Sequence, residues 1–150
     1  MDGDITARIV KLLDQNRFMS IATVMPDGWP QATTVAYVNE GLTLYFLCGR
    51  DSQKASNIAR DERVSATIGK DPARISAIAA LSMAARARQV HDQAEAAKAM
   101  EMLPEKFRDQ VTLPVALHAP DDLRIFRVTP TLISLLDYSK GFGHADVIRL

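Results

Sequence analysis

Residues 42–68 read LTLYFLCGRDSQKASNIARDERVSATI, and this stretch decides the fold. The apolar run at 42–48 predicts a strand, and the β-branched character of residues 64–68 predicts another. Between them, apolar residues recur on one face of a helix, at Ala55, Ile58 and Ala59. The stretch therefore predicts two strands that are connected by a short helix.

The start of this helix is a candidate phosphate site. Helix amides without an intrahelical acceptor carry partial positive charge, and Arg50 and Lys54 add full charges. The Ser52 hydroxyl can donate a hydrogen bond, and Gly49 allows the backbone to approach a ligand closely. The plainer alternative is that Ser52 or Asp51 only caps the helix while both cations lie in solvent. The residues alone leave both interpretations open.

Upstream of this stretch, the pattern predicts one helix and two strands. The helix begins near Asp4, a candidate cap. Its apolar face consists of Ile5, Ile9, Leu12 and Leu13. Residues 18–24 and 31–38 have strand character, and the Pro and Asp-Gly of residues 25–30 predict a reversal between them. A tight turn at residues 39–41 then leads into the next strand, so we expect an antiparallel sheet.

Downstream, a second helix and further strands follow. Asp92-Gln-Ala-Glu95 matches a capping box. The apolar face of the helix that it opens consists of Ala96, Ala99, Met100, Leu103 and Phe107. Residues 123–128 and 132–136 predict final strands divided by Pro130, and a glycine-rich tail follows. This order of elements predicts a mainly β domain with flanking helices (α+β), built as a small closed or split β-barrel.

Composition predicts one ordinary domain over residues 1–150. Hydrophobic residues make up 47% and charged residues 24%, so neither disorder nor a fibrous repeat is indicated. Eighteen basic residues balance eighteen acidic ones, which argues against nucleic acid and membrane surfaces as partners. The longest apolar run, residues 75–85, is too short to span a bilayer. Because Cys48 is the lone cysteine and no signal-peptide pattern is visible, we expect a cytoplasmic protein without an internal disulfide.

The sequence contains no convincing metal, dinucleotide or hydrolase motif. His91, His118 and His144 are far apart, and one cysteine cannot complete a structural zinc site, so we expect no metal. Residues 141–143 lack the third glycine of a dinucleotide fingerprint, and neither a Walker loop nor a Gly-x-Ser-x-Gly elbow occurs. The phosphate candidate at the helix start is therefore the main functional pattern.

Residues 18–90 resemble the pyridoxamine 5'-phosphate oxidase-like superfamily, the flavin-binding split barrels. MSIATVMPDGWPQATTVAYV, residues 19–38, looks like the opening hairpin of that family. Residues 42–68 look like its strand, phosphate loop, helix and next strand. The resemblance covers about half of the chain and implies an FMN-binding split β-barrel.

The most specific part of the resemblance is Ser52-Gln53-Lys54, followed by Ala-Ser-Asn-Ile58 and by Asp61-Glu-Arg-Val64. The family usually shows Ser-Arg-Lys and then Asn-Pro-Arg-Val at these places. The resemblance favours the phosphate interpretation of the helix start over the plain cap. By position, the implied phosphate site consists of Arg50, Ser52, Gln53 and Lys54.

The resemblance also implies which residues lie beside the flavin ring. The second strand would contact the isoalloxazine through Thr33, Thr34, Val35 and Ala36. Backbone amides near Thr34 and Val35 would donate toward its N5 and O4 edge. Leu47 and Cys48 would lie near the ring or the ribityl chain. The alternative for the threonines is ordinary sheet packing, and for Cys48 a small buried hydrophobic residue without a role in binding.

Members of the family are homodimers with two flavin sites at the interface, and this resemblance implies the same here. The strand at Ala80, Leu81 and Ser82 of one protomer would close over the flavin of its partner. True oxidases have a flavin-binding glutamine at about Ala80, and their arginine and histidine substrate motif is absent from this tail. The tail has other candidate groups instead: Tyr138, Lys140, Phe142 and His144.

Residues 75–90, ISAIAALSMAARARQV, are ambiguous. Their alanine content favours helix, but no cap and no clear apolar stripe supports one. Partly on the family resemblance, we predict a long strand. A helix here would instead favour a helical interaction module.

The functional prediction is an FMN-dependent oxidoreductase that acts on an unidentified small molecule and is not a true pyridoxamine phosphate oxidase. Redox chemistry would belong to the flavin, and no side chain is an obvious general acid or base. The alternatives are an F420-dependent reductase, whose cofactor fits the same phosphate loop, and a non-catalytic flavin- or haem-binding protein.

Overall fold

The structure is a computed structural model and describes residues 2–110 and 120–150. Within these residues, the helices are α1 (Asp2–Gln15), α2 (Gln53–Arg60) and α3 (Gln93–Lys106). The strands are β1 (Phe18–Val24), β2 (Pro30–Ala36), β3 (Val38–Glu40), β4 (Thr43–Gly49), β5 (Arg63–Gly69), β6 (Ala79–Gln89), β7 (Leu123–Asp137) and β8 (Ala145–Arg149).

These strands form one antiparallel sheet. Its order is β2-β1-β5-β6-β7-β4-β3, and β8 pairs with the second half of β7. The first and last strands of this order, β2 and β3, are separated along the chain by Tyr37 alone. The sheet therefore has to curl until its two ends meet. The predicted α+β split β-barrel is confirmed.

The barrel core is filled by alternate residues of the strands and by one face of α1. In β6, Leu81 is fully buried, and in α1 Ile9 and Leu13 are fully buried. Phe46 of β4 stacks on Phe126 of β7 with ring centroids 5.4 Å apart. Burying each such side chain contributes roughly 1.5–3 kcal/mol. The predicted amphipathic helix at the N-terminus and its apolar face are confirmed.

Most of the ambiguous segment is a strand, as predicted. Residues Ile75–Ala77 form a short 3-10 turn, and β6 begins only at Ala79. β6 pairs with β5 on one side and with β7 on the other, so its alanines serve as small residues in a central strand. Tertiary pairing therefore overrides the helical propensity of alanine. The helical interaction module is wrong.

Pro130 does not divide the last strands, and that part of the prediction is wrong. β7 runs without interruption from Leu123 to Asp137. Its first half pairs with β4 up to Val128, and its second half pairs with β8 from Leu132. Pro130 lies where the partner changes, next to an irregular register opposite β6, and proline is tolerated at such places because no regular ladder bond is lost. The glycine-rich tail contains β8.

Two boundaries in the N-terminal half also differ from the prediction. The strand expected over residues 31–38 stops at Ala36, and the Tyr37 N–H donates to the Arg17 carbonyl at 3.1 Å. The chain then crosses to pair with β4 as β3. Asp4 lies inside α1 and does not cap it.

The predicted capping box of α3 is only half formed. The Asp92 carboxylate accepts the Glu95 N–H at 3.0 Å, as a cap does. The Glu95 carboxylate does not return to the cap but accepts hydrogen bonds from Arg127 at 2.6 Å and from Tyr45 at 2.8 Å. Burial and this bond to Glu95 raise the pKa of Tyr45 to about 12. The pair of contacts holds α3 against β4 and β7.

Asp137, at the end of β7, is a buried carboxylate that joins the tail to α1. It accepts hydrogen bonds from the Ser139 amide at 3.1 Å and from the Arg8 guanidinium. The Ser139 and Arg8 bonds lower the pKa of Asp137 from 3.8 to about 2. Because the folded pKa is the lower one, this stabilisation is present above about pH 4 and is lost as pH falls toward 2.

We expect Asp137→Asn to lower the free energy of unfolding by about 1–3 kcal/mol at pH 7, since a hydrogen-bonded charge is replaced by a neutral amide. Urea unfolding at pH 7 and near pH 2 measures this. The difference between variant and wild type shrinks at the lower pH, where about half of the folded wild-type carboxylates are protonated. An equal difference at both pH values would contradict the assigned role of the charge.

Candidate functional site

The candidate site is built around the start of α2, where the chain leaves β4. α2 packs against β1, β4 and β6 and buries Ala55, Asn57 and Ile58. This confirms the predicted strand–helix–strand order of residues 42–68. The N-terminus of α2 therefore lies at the end of β4, and its first residues are held by the barrel beneath them.

Ser52 is the cap of α2. Its hydroxyl oxygen accepts the Ala55 N–H at 3.1 Å, while its backbone is extended. Asp51 is exposed and is not the cap. The capping interpretation is therefore correct for Ser52, and it leaves the Ser52 O–H free to donate. The Ser52 side chain also lies near the Cys48 thiol, whose pKa it acts to lower.

Cys48 lies beneath this cap with 9% of its surface exposed. Burial raises the pKa of its thiol, against the opposing effects of the Ser52 hydrogen bond and the Lys54 charge. The thiol is therefore protonated at neutral pH, which argues against a reactive cysteine. Leu47 points to the other face of β4, because successive side chains of a strand alternate. Only Cys48 of this pair lies next to Ser52 and Lys54.

Lys54 is half-buried and has no carboxylate within 4.0 Å among the residues that the structure describes. Arg50 lies differently. Its guanidinium is 3.9 Å from Asp122 and 3.8 Å from Asp51, and it lines a groove whose described lining residues do not include Lys54. The structure brings Cys48, Ser52 and Lys54 together and turns Arg50 toward the start of β7.

Gln53 belongs to a hydrogen-bond network centred on Asn57, a residue that the sequence analysis did not single out. The Gln53 amide donates to Asn57 Oδ1 at 2.8 Å. Asn57 is fully buried and donates to Thr23 Oγ1 at 2.9 Å and to Gln31 Oε1 at 3.4 Å. The network ties α2 to the β1–β2 hairpin. Its only sequence signal was the place of Asn57 within the family motif.

The β2 residues expected beside the flavin do not share one face. Thr33 pairs with Ile21, a core residue, and so faces the barrel interior, whereas Thr34 is exposed on the outer face. Val35 is again buried, and Ala36 is half-buried. A ligand that contacts all four must therefore lie along the backbone edge of the strand. β2 offers such an edge, because it is the end of the sheet and pairs with β1 alone.

The β6 residues alternate in the same way. Leu81 is fully buried in the core, so its side chain is not available to a ligand on the outer face. Ala80 and Ser82 point outward. Ser82 is in register with Thr67 of β5, which is in register with Ser20 of β1. With Thr34 opposite Ser20, small hydroxyl side chains cross the outer face of β2, β1, β5 and β6 in one row.

Ala80 also makes a close approach to Gly69 of β5. A Cβ atom built on Gly69 would lie 2.8 Å from the Ala80 Cβ, closer than carbon atoms can approach.

We expect Gly69→Ala to lower the free energy of unfolding by about 1–3 kcal/mol, because one of the two strands must shift. Chemical denaturation measures it. Gly3→Ala in α1, where nothing lies within 4 Å, is the matched control and should be neutral or slightly stabilising.

The tail side chains make contacts among themselves. Phe142 is 89% exposed and lies 5.5 Å from Tyr138, centroid to centroid. Asp146 interacts with both His144, at 3.2 Å, and Lys140, at 3.3 Å. No contact between these side chains and Ser52 or Lys54 occurs in the described part of the chain.

In residues 2–110 and 120–150, no cluster of His, Cys, Asp and Glu side chains is arranged to hold a metal ion. His118 lies outside these residues. Among the helices that the structure describes, none combines the length and apolarity needed to cross a bilayer.

Comparison with solved structures places the fold among known ones. A conserved hypothetical protein from Mycobacterium tuberculosis is 24% identical to this chain, with a TM-score of 0.78. The match covers 93% of this chain and 89% of that one. A Clostridium acetobutylicum protein, related to general stress protein 26 of the pyridoxinephosphate oxidase family, is 12% identical with a TM-score of 0.74. The match covers 100% of this chain and 97% of that one. HutZ, the haem storage protein from Vibrio cholerae, is 18% identical with a TM-score of 0.69, and the match covers 95% of this chain and 92% of that one.

At these identities the structures show the fold alone. Among curated proteins, none matches the chain. The family model described as pyridoxamine 5'-phosphate oxidase matches residues 5–137, which include α1, the cap of α2 and the strands up to the end of β7. The chain therefore belongs to the pyridoxamine 5'-phosphate oxidase family.

Proposed function

We propose that this protein is an FMN-dependent oxidoreductase that acts on a small molecule. The observation that carries the proposal is Lys54, a half-buried cation without a described carboxylate partner at the first turn of α2. A cation in this position is best explained by an anionic ligand, and helix amides at the same place favour a phosphate.

The donor set at the start of α2 fits the phosphate end of FMN. Lys54 supplies the charge, and the Ser52 O–H can donate to the phosphate without loss of the cap, since the cap uses the oxygen. Space is also present at Gly49, where a Cβ atom would meet nothing within 4 Å. Its φ is not in the left-handed region, so room for a ligand is the better reason for glycine here. Gln53 supports this end through Asn57.

The ring end of FMN would lie along the free edge of β2, beside Thr33, Thr34, Val35 and Ala36. Since these side chains alternate between faces, the strand would act mainly through backbone groups, with amides near Thr34 and Val35 directed to the ring. When bound, FMN supplies the hydride or electron exchange. The residues of this chain position the flavin, and Cys48 forms a wall of its pocket.

We further propose a homodimer in which two chains complete each flavin site. The outer row of small hydroxyl side chains allows another sheet to approach closely, and Ala80 and Ser82 belong to that face. Leu81 would contribute through its backbone only, because its side chain is in the core. Alanine at position 80 has no hydrogen-bonding group for the flavin, so we do not propose pyridoxamine phosphate as the substrate.

Haem binding is the second candidate function. It is favoured by the structural likeness to HutZ, the haem storage protein from Vibrio cholerae. A deazaflavin such as F420 is a further option, because its phosphate would suit the same donors. These cofactors have distinct absorption spectra, so one set of titrations separates them.

The test is an absorption spectrum of the purified protein, followed by titration with FMN, riboflavin, F420 and haem. We expect a flavin spectrum, one FMN per chain, and a dimer by light scattering. Bleaching of the bound flavin by a nicotinamide cofactor without oxygen would support an enzyme. A protein that binds haem but no FMN would overturn the flavin proposal in favour of the second candidate.

A further inference from the structure

A groove of about 800 Å³ lies between α2, the C-terminal end of β6 and the N-terminal end of β7. It is separate from the proposed flavin site, since neither Ser52 nor Lys54 is among its described lining residues. Its floor is formed by apolar side chains, each less than 9% exposed: Ala55, Ile58, Ala87 and Phe126. A groove of this size accommodates a ligand as large as a nucleotide.

The acidic residues at the groove are already neutralised. Asp61 pairs with Arg63 at 2.7 Å, and this bond lowers the pKa of the Asp61 carboxyl to about 2. Glu62 pairs with Arg88 at 2.6 Å and with Arg86 at 2.9 Å. These carboxylates are therefore not available to the other cations of the groove.

The remaining arginines have unused donors. Arg124 donates to the carbonyl oxygens of Asp121 and Leu123, each at 3.1 Å, and has no described carboxylate within 4.0 Å. The nearest described carboxylates to Arg50 are 3.8 and 3.9 Å away. A guanidinium group has five N–H donors, so both arginines can bind an anion in addition. Since acidic and basic residues balance over the whole chain, this local excess is not a result of general basicity.

Arg50 and Arg124 also converge on one place. The Arg50 amide donates to the Asp122 carbonyl at 2.8 Å, and the Arg124 side chain donates to the preceding carbonyl. Cys48 is in register with Arg124, and Arg50 follows Cys48 by two residues, just past the end of β4. Two guanidinium groups thus flank one end of a groove that has an apolar floor.

We propose that this groove binds a nucleotide-like phosphate ester, with its phosphates between Arg50 and Arg124 and its heterocyclic part over the apolar floor. Paired arginines suit phosphate oxygens because their planar donor sets bind two oxygens at once. Arg60, which donates to the Val24 carbonyl, also lines the groove and adds a positive charge there. The proposal does not depend on FMN at the start of α2.

Calorimetric titration with ADP and with inorganic pyrophosphate tests the groove, on the full chain with and without saturating FMN. We expect one ADP per chain under both conditions, at least tenfold weaker ADP binding in Arg124→Gln and in Arg50→Gln, and unchanged binding in Lys54→Ala. Arg74→Gln, an exposed arginine away from the groove, is the matched control and should bind as wild type does. Circular dichroism verifies that each variant is folded.

No ADP binding, or equal affinity in wild type and both folded groove variants, would overturn the proposal. So would loss of ADP binding on saturation with FMN, because the two sites would then be one. Pyrophosphate that binds as tightly as ADP would overturn the nucleotide assignment, since the apolar floor would contribute nothing. If the wild type binds no FMN, the flavin proposal fails, while the ADP titration still decides the groove.

Discussion

We expect the Lys54→Ala variant to bind FMN about 10- to 100-fold more weakly than wild type and to bind riboflavin as wild type does. The loss corresponds to one charge-assisted hydrogen bond to phosphate, about 1.5–3 kcal/mol, at a helix start that has no other described lysine. Riboflavin lacks the phosphate, so its affinity does not depend on this ammonium. Fluorescence quenching of each flavin measures both constants.

Lys11→Ala, an exposed lysine of α1, is the control for a general loss of positive charge. Raising the salt concentration should weaken FMN binding in wild type more than in Lys54→Ala, since salt screens the charge that the variant lacks. If riboflavin and FMN lost affinity equally in the variant, Lys54 would act on the pocket as a whole and not on the phosphate.

The second large effect is expected for Asn57→Ala, which should lower the free energy of unfolding by about 2–4 kcal/mol. The variant removes a fully buried amide and leaves the buried Thr23 without its partner, together with the half-buried Gln31 and the exposed Gln53. Urea unfolding measures the loss. Because α2 is then less firmly tied to the β1–β2 hairpin, FMN affinity should fall as well.

Asn39→Ala is the matched control, because the Asn39 amide also donates two hydrogen bonds, to Asp14 at 3.0 Å and to the Gly41 carbonyl at 3.1 Å, but both are exposed. Exposed bonds of this kind contribute less than about 1 kcal/mol. An Asn57→Ala variant that unfolds at the wild-type urea concentration would show that water replaces the lost amide and that the network is not essential.

The fold could be predicted because local patterns and pairing agreed in most of the chain. The alternation of β1, the apolar run of β4, the helical face of α1 and the cap at Ser52 each have a direct local signal. Residues 79–89 were harder, since alanine has no strand preference and the strand is formed by its neighbours on both sides. For these residues the prediction of a strand rested partly on the family resemblance, because residue propensities favoured a helix.

Other features could not be read locally because their cause lies far away in sequence. Pro130 was expected to end a strand, and only the change of partner from β4 to β8 makes it acceptable inside β7. Arg50 was expected beside Lys54, but its direction depends on Asp122, which is distant in the chain. Spacing in sequence does not reveal such contacts.

The role of Asn57 was missed for a related reason. A buried asparagine on a helix has no periodic pattern, and its value depends on whether partners such as Thr23 and Gln31 face it. Alternation along β2 and β6 is readable from the sequence, since adjacent residues of a strand turn their side chains to opposite faces. That rule already separates Thr33 from Thr34 and Leu81 from its neighbours.

The position of β7 between β4 and β6 has a consequence for the synthesis of the protein. Leu44 pairs with Val128, so β4 emerges from the ribosome long before the strand that covers its edge. A nascent chain that has not yet reached β7 has exposed β4 and β6 edges, which invite pairing with other chains. The sheet therefore cannot be completed between β4 and β6 until β7 has been translated.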